Sequence, residues 1–471
     1  MKTIRKTVSL KTFVTTILMM LAFAGLTFNL GRAGFVGDET EQWYTPSQQA
    51  TYIVGQYNSS HFYMQNHTGH GYSGYEGYEF LSTNASAVWN NARGNLSTLA
   101  TGATGTIYVK TGTYQVDSPW IVGKRTHFDC EAAVVLNVTA NLGDNHGAIE
   151  IDPTNVAATN WRISDVLINM NDFTGNGIYS AWPGNSASQG QTEIDSVYIA
   201  QTQYGYWGMN ISSPFIMKMS NIRISGSGGG INFPLSLNPY VITGNSVFEN
   251  VYIGLSHNAT IGVMMGPGDG TKFSANLVQW NRLEVYSVGY YNCTGVYISN
   301  ASSLGYIDFV NFNMETGNAY GEWGAVIENS SSINFWGGLA NRGFKINGTS
   351  SVIGINGVTF KDYLDETAGT YDILINGGYS WGTITSTTST TFDKVAGHVT
   401  ESRGSAVNAT ATTFSISTGF TTTGGPTFVS CSFNTTAVTG WKWTTTAWTV
   451  TITFTGPNNN VTCYYYFWKQ N

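Results

Sequence analysis

Apolar and polar positions in the middle of the chain follow one repeated figure. An apolar residue, two variable residues, a second apolar residue, one variable residue and a third apolar residue mark a strand that sends alternate side chains to opposite faces. The figure occurs at Ile163-Ser-Asp-Val166, Ile194-Asp-Ser-Val197, Met219-Ser-Asn-Ile222 and Phe248-Glu-Asn-Val251. It continues at Trp280-Asn-Arg-Leu283, Ile307-Asp-Phe-Val310, Ile333-Asn-Phe-Trp336 and Ile355-Asn-Gly-Val358, with successive starts 22 to 32 residues apart. After a polar turn, a second short apolar strand opens at Gly177-Ile178, Gly208-Met209, Gly230-Ile231, Gly262-Val263, Gly295-Val296, Gly324-Ala325 and Gly343-Phe344. A repeat of this size, too short to hold a helix per turn, predicts a solenoid of β-coils. Eight coils stacked at about 4.8 Å span roughly 40 Å. The glycine before each short strand suits a corner at positive φ. A β-sandwich would explain the alternation, but not the repeat.

The flanks read differently. Residues 85–96 (ASAVWNNARGNL) carry apolar residues at helical spacing behind Asn84 and predict a short helix. From Thr383 the chain turns Thr/Ser-rich, and beyond Gly404 it shows short alternating strands separated by turns such as Gly424-Gly425-Pro426 and Gly456-Pro457-Asn458. The expected organisation is a signal peptide over 1–24, an N-terminal segment over 25–74, a β-helix over 75–400 and a small antiparallel β-module over 401–471. The module could cap the last coil, trimerise the chain or bind glycan, and capping is the simplest of these roles.

Composition narrows the class. Charged residues are 10% of the chain, against roughly 25% in ordinary soluble domains. That is too few for a helical bundle, and a net charge of −7 gives nucleic acid no basic surface. With 14 Trp, 27 Tyr and 24 Phe the chain can bury a large core. A polar, aromatic-rich chain of this kind fits extracellular β-structure. Lys2, Arg5, Lys6 and Lys11 precede the apolar run Phe13–Ala24, and Ala22-Phe23-Ala24 offers a cleavage site, so a secreted or cell-surface protein is expected. Left uncleaved, the stretch from Thr12 to Leu30 would instead approach the length of a membrane anchor. Fourteen N-x-[ST] sequons are compatible with a glycoprotein. Of the four cysteines, Cys431 and Cys463 are close enough in the C-terminal module for a disulfide, while Cys130 and Cys293 read as buried thiols.

The helix followed by Gly105-Thr-Ile-Tyr-Val-Lys-Thr-Gly-Thr-Tyr114 closely resembles the N-terminal cap and first coil of pectate-lyase-like right-handed parallel β-helix proteins. That superfamily includes polygalacturonases, polysaccharide lyases and viral tailspikes. The resemblance covers residues 75–395 and implies an all-β parallel β-helix whose exposed end is covered by the helix. It does not imply one reaction. The N-T-D, Asp-Asp and R-x-K segments of polygalacturonases have no counterparts here, and Gly69-His70-Gly71 precedes the helix, away from the coils. Ser225-Gly-Ser-Gly-Gly-Gly230 is not a phosphate loop, and no motif for a metal or cofactor appears, so none is expected.

Stacked coils turn sequence columns into ladders. Ser164, Asp195, Ser220, Glu249, Asn281, Asp308, Asn334 and Asn356 form either a carboxylate row or a polar ladder that satisfies itself. The turns before the short strands carry Tyr204, Tyr206, Trp207, Tyr290, Tyr291, Tyr320 and Trp323, an aromatic stripe that either stacks on sugar rings or packs over the coil edge and on itself. The glycine turn 226–230 should leave a dent beside them. Glu315 and Glu322 are the candidate carboxylate pair for glycoside hydrolysis, with Arg342 the nearest cation a lyase would need; the alternative is two solvated carboxylates on a polar turn. Asn300, Asn329 and Asn347 should stack in one column, as an unmodified asparagine ladder or as a line of glycans. Two functions follow: a surface β-helix that binds and cleaves polysaccharide, or a non-catalytic adhesive or fibre-like protein. The partner in the first is a polysaccharide or cell-surface glycan.

Overall fold

The repeated figure builds the coils it predicts. The computed structural model describes residues 50–468 except 67–79, 99–104, 124–125, 153–159, 181–191, 213–215, 235–241, 267–272, 288–289, 304–305, 317–322, 368–372, 381–383, 386–389, 394–400, 409–412, 418–427, 434–439, 446–448 and 456–460. All of these belong to one of the two units of the chain, residues 46–471. The signal peptide expected over 1–24 lies outside the described residues. Each coil contributes one long stretch, bent at a corner, to a twenty-stranded sheet and one short strand to an eleven-stranded sheet. Pairing within the coils is parallel throughout, as in Lys218–Ser225 against Val247–Gly254 and Met209–Asn210 against Ile231–Asn232. The fold is a right-handed parallel β-helix. Eleven short strands at about 4.8 Å give a solenoid about 48 Å long. The figure identified eight coils because the terminal ones break it: Thr126–Val138 carries a bulge between Asp129 and Val134.

One face of every strand fills the interior. Phe128, Ile163, Ile194, Met219, Phe248, Trp280, Phe309, Phe335 and Ile355 form a single fully buried column, each beside the next in register. Rings stack where they meet: Trp280 on Phe309 at 6.0 Å and Phe309 on Phe335 at 4.9 Å, both nearly parallel. These stacks correct the predicted alignment. Trp280 lies beside Phe309 and not beside Ile307, so Asp308 neighbours Gln279 rather than Asn281. Asn356 sits beside Trp336 rather than Asn334, with the buried Ile355 in register with Phe335. Burying ring on ring outweighs keeping a polar ladder in line.

The glycines before the short strands are also explained differently from the expectation. Those at 177, 208, 230, 262, 295 and 324 are absent from the positive-φ positions; of the predicted series only Gly343 has φ +87°. Their role is close approach. A Cβ on Gly230 would stand 2.1 Å from the Gly262 carbonyl, and one on Gly262 2.6 Å from that of Gly295. Positive φ belongs instead to the corner of the long strands, at Asp165, Ser196, Asn221, Asn250, Arg282, Asn311, Gly337, Gly357 and Gly377.

The helix Ala85–Thr98 closes the N-terminal end. Asn84 caps it, its Oδ1 accepting from Ala87 N at 2.8 Å. Trp89 enters the coil interior, stacked on Trp120 at 4.9 Å and against Phe128. A hairpin, Tyr52–Asn58 with His61–Asn66, extends the first coil. At the other end, strands over 401–468 form two three-stranded antiparallel sheets. Cys431 is disulfide-bonded, whereas Cys130 and Cys293 are free and buried.

Close approach and corner conformation predict different costs. Gly230→Ala should destabilise by about 1–3 kcal/mol or more, because backbone meets Cβ. Gly357→Ala, at φ +63° with open space around it, should cost only about 1–2 kcal/mol. Guanidinium unfolding midpoints compare the two; equal costs would remove the close-approach account.

Candidate functional site

The turns between long and short strands meet along one edge. Adjacent coils hold their turns together by backbone bonds, such as Leu142 N to Thr174 O and Gly228 N to Thr202 O. Side chains then bridge coils. The Tyr206 hydroxyl donates to Asp144 Oδ1 at 2.6 Å, two coils back, and that carboxylate holds the phenol above its ordinary pKa. The Tyr204 ring lies 5.9 Å from His257, two coils forward. Tyr291 N donates to Asn258 Oδ1 at 2.8 Å, which ties the next turn to this one.

The stripe is present but smaller than expected. Tyr204 is 57% exposed, Tyr291 59% and Tyr290 36%. Trp207 is half-buried and covers Gly229, where a Cβ would meet its ring at 2.8 Å. The expected dent at 226–230 is therefore filled: Gly228 packs on the Gln203 carbonyl and Trp207 lies over Gly229. Trp323 is not a turn residue but the first residue of the short strand Trp323–Glu328. Tyr320 and Glu322 lie outside the described residues. Glu315 ends a long strand, beside Tyr286 in register, and accepts from Asn313 Nδ2 at 3.0 Å. Arg342 is half-buried within the turn 341–343. The expected pair of Glu315 with Glu322 therefore falls partly outside the described residues.

A group the sequence reading passed over lies next to the stripe. The middle positions of the short strands form an outward column: Glu150, Tyr179, Asn210, Asn232, Met264, Tyr297, Val326 and Lys345. Glu150 is 6% exposed and 2.8 Å from His146 Nδ1 in the turn. Tyr179 is its neighbour in register, and burial, with the Glu150 charge added, raises the phenol pKa. A carboxylate, an imidazole and a phenol side by side can hold and move a proton. The signal was the variable residue in the motif Gly-apolar-variable-apolar that opens the short strands, which was not read as a ladder. Further along, Tyr297 donates to Glu328; burial and that carboxylate push its pKa up to about 12.

The polar column on the long strands is self-satisfied. Ser164 donates to Asp129 at 3.0 Å and Ser220 to Asp195 at 2.6 Å. Beside it Lys218, Glu193, Arg162 and Asp129 link at 3.3, 3.8 and 3.5 Å. Burial raises the Asp165 pKa there, and it lowers that of His127. The predicted asparagine column splits: Asn300 aligns with Asn329, but Glu328 pairs with Asn347, so the column continues to Gly348. Asn329 Oδ1 accepts from Thr349 N at 3.0 Å. Among the described residues no three His, Cys, Asp or Glu side chains converge as a metal site.

No family model and no curated protein matches the chain. Several solved structures are similar. The A-module of the mannuronan C-5 epimerase AlgE4 of Azotobacter vinelandii is 12% identical, with TM-score 0.42, over 66% of this chain and 92% of that one. ORF18 of Geobacillus virus E2 is 13% identical, with TM-score 0.38, over 81% and 72%. PfbA, a surface adhesin of Streptococcus pneumoniae, is 13% identical, with TM-score 0.29, over 64% and 88%. The likeness is one of fold, and the β-helix itself rests on the strand register.

The Tyr297–Glu328 bond makes stability depend on alkaline pH. The folded pKa is raised above the unfolded value of about 10, so its contribution is full below pH 10 and is lost as pH rises through about 12. Tyr297→Phe should remove one tyrosine titrating near 12 from the ultraviolet titration and flatten stability between pH 10 and 12. An unchanged alkaline limb would refute the bond.

Proposed function

We propose that this protein is an exported β-helix that binds polysaccharide along the turn edge. The observation that carries the reading is the exposed Tyr204 and, three coils further along the same edge, the exposed Tyr290 and Tyr291, with the Tyr204 ring against His257 on a turn between them. Such rings offer flat apolar faces to sugar rings, and their hydroxyls can bond sugar hydroxyls. Coil stacking fixes the separation of these faces at three coils of about 4.8 Å each, which suits an extended polymer lying along the edge. The same reading keeps Tyr206 and Trp207 as supports, since both are engaged with neighbouring coils. Export rests on the basic and apolar N-terminus. We also take the Cys431 disulfide to be with Cys463, because the two lie two positions apart on adjacent strands. Asn329 acts as an internal hydrogen-bonding residue in this reading rather than as a glycan carrier.

A second reading, bond cleavage at the same edge, is favoured by His146, Glu150 and Tyr179. The buried carboxylate orients the imidazole, and the phenol beside it stays protonated, so the group can accept and return a proton. Glu315, Glu322 and Arg342 enter this reading only as residues to be tested in parallel.

Binding is measured by retention on a panel of neutral and acidic polysaccharides. Tyr204→Ala with Tyr291→Ala should weaken retention by about tenfold or more and leave the melting temperature unchanged, since both rings are exposed. Retention equal to wild type would reject the edge. Cleavage is measured by reducing ends and by absorbance of unsaturated uronates. Product lost in Glu150→Gln but kept in Glu315→Gln would place the chemistry at His146–Glu150–Tyr179, whereas retention without product would make the protein an adhesive binder.

A further inference from the structure

The corner of the long strands holds one residue that its own column does not explain. Nine successive coils turn there with positive φ, at Asp165, Ser196, Asn221, Asn250, Arg282, Asn311, Gly337, Gly357 and Gly377. Asparagine and glycine suit this conformation, and the asparagines also bond along the stack: Asn221 Nδ2 donates to Asp195 at 3.1 Å and Asn250 Nδ2 to Asn221 at 3.2 Å. Arg282, at φ 59°, ends that chain of bonds. A long side chain in the left-handed region is strained, and nothing local relieves it. Among the described residues the Arg282 side chain makes no ion pair and no hydrogen bond, and the residue is exposed. Such an outlier points to use.

Arg282 lines a cleft of about 220 Å³ with Asn250, Tyr252, Glu284, Asn311 and Asn313. Glu284 is only two residues from Arg282, yet the two do not pair, so their charges stand separately around the cleft. Asn313 spends its amide nitrogen on Glu315, and its Oδ1 is buried without a hydrogen-bond partner. Tyr252 forms an aromatic wall, stiffened on its other side by the Arg223 guanidinium at 5.4 Å. Arg223 is in turn held by Tyr198 at 5.2 Å. The cleft therefore presents one cation, one carboxylate, an idle amide oxygen and an aromatic surface within the space of a single sugar ring.

We propose that this cleft binds one carboxylate-bearing sugar unit, at a site separate from the turn edge. The guanidinium of Arg282 takes the sugar carboxylate through paired N–H donors. Glu284 and the Asn313 oxygen accept from ring hydroxyls, and Tyr252 packs against the ring. A neutral hexose would leave Arg282 without its anion. A bare inorganic anion would leave Glu284 and Asn313 unused.

The probes are glucuronate, glucose and inorganic sulfate, titrated into the full chain at millimolar concentration by ligand-observed NMR. Glucuronate should bind more tightly than glucose by at least about tenfold, and sulfate should not displace it at equal concentration. Arg282→Asn places the favoured corner residue in the column, so it should fold with an equal or higher melting temperature and lose glucuronate binding. Tyr204→Ala with Tyr291→Ala should leave glucuronate binding unchanged, which separates this site from the turn edge. Equal binding of glucuronate and glucose, displacement by sulfate, or full binding by Arg282→Asn would each overturn the proposal. A fall in melting temperature in Arg282→Asn would also overturn it, by showing that the arginine serves the fold.

Discussion

Everything in this molecule depends on how closely one coil can lie on the next. Parallel pairing fixes the coil spacing at about 4.8 Å. At the start of several short strands that spacing brings backbone against backbone, and the Gly262 carbonyl occupies the place a Cβ on Gly230 would need. The glycine column therefore makes room for that rise at one edge, while the ring contacts from Phe248 to Phe335 accompany its register at the core. Where the two demands meet a polar ladder, the ladder yields, as Asp308 shows by sitting beside Gln279. The turn edge inherits its geometry from this arrangement. Tyr204, His257 and Tyr291 are close because their coils stack, not because their turns resemble one another in sequence.

The architecture was legible because its signal is periodic. Strand spacing, the glycine before each short strand and the capping helix behind Asn84 were all readable, and the helix–strand segment ending at Tyr114 pointed to the right fold. Two errors have physical causes. The glycines before the short strands were assigned to positive φ, but they serve close contact, and positive φ belongs to another corner, where Asn221, Asn250 and Asn311 share it with Gly337, Gly357 and Gly377; composition alone does not separate those roles. Register beyond Trp280 was aligned on spacing, whereas ring stacking fixed it two residues away.

The site was legible only in part. Tyr204, Tyr290 and Tyr291 could be read as exposed because they lie in polar turns. The support roles of Tyr206 and Trp207 could not, since each depends on a partner in another coil, Asp144 and Gly229 respectively. Glu150 was hidden for the opposite reason. It sits in an apolar motif, GAIEI, at the outward position of a strand, and its meaning appears only when Tyr179 and His146 are placed beside it. Two surfaces then differ in character. The turn edge carries exposed aromatic rings, whereas the corner of the long strands is lined by short polar residues and glycine, with Arg282 the one long side chain among them.

The central claim is that polysaccharide lies along the turn edge. Hydrogen–deuterium exchange on the full chain, with and without a retained polysaccharide, tests it most directly. The account predicts slowed exchange confined to the turns 201–208, 255–260 and 290–294. Protection elsewhere, on the outward face of the long strands or over 401–468, with these turns unchanged, would contradict it.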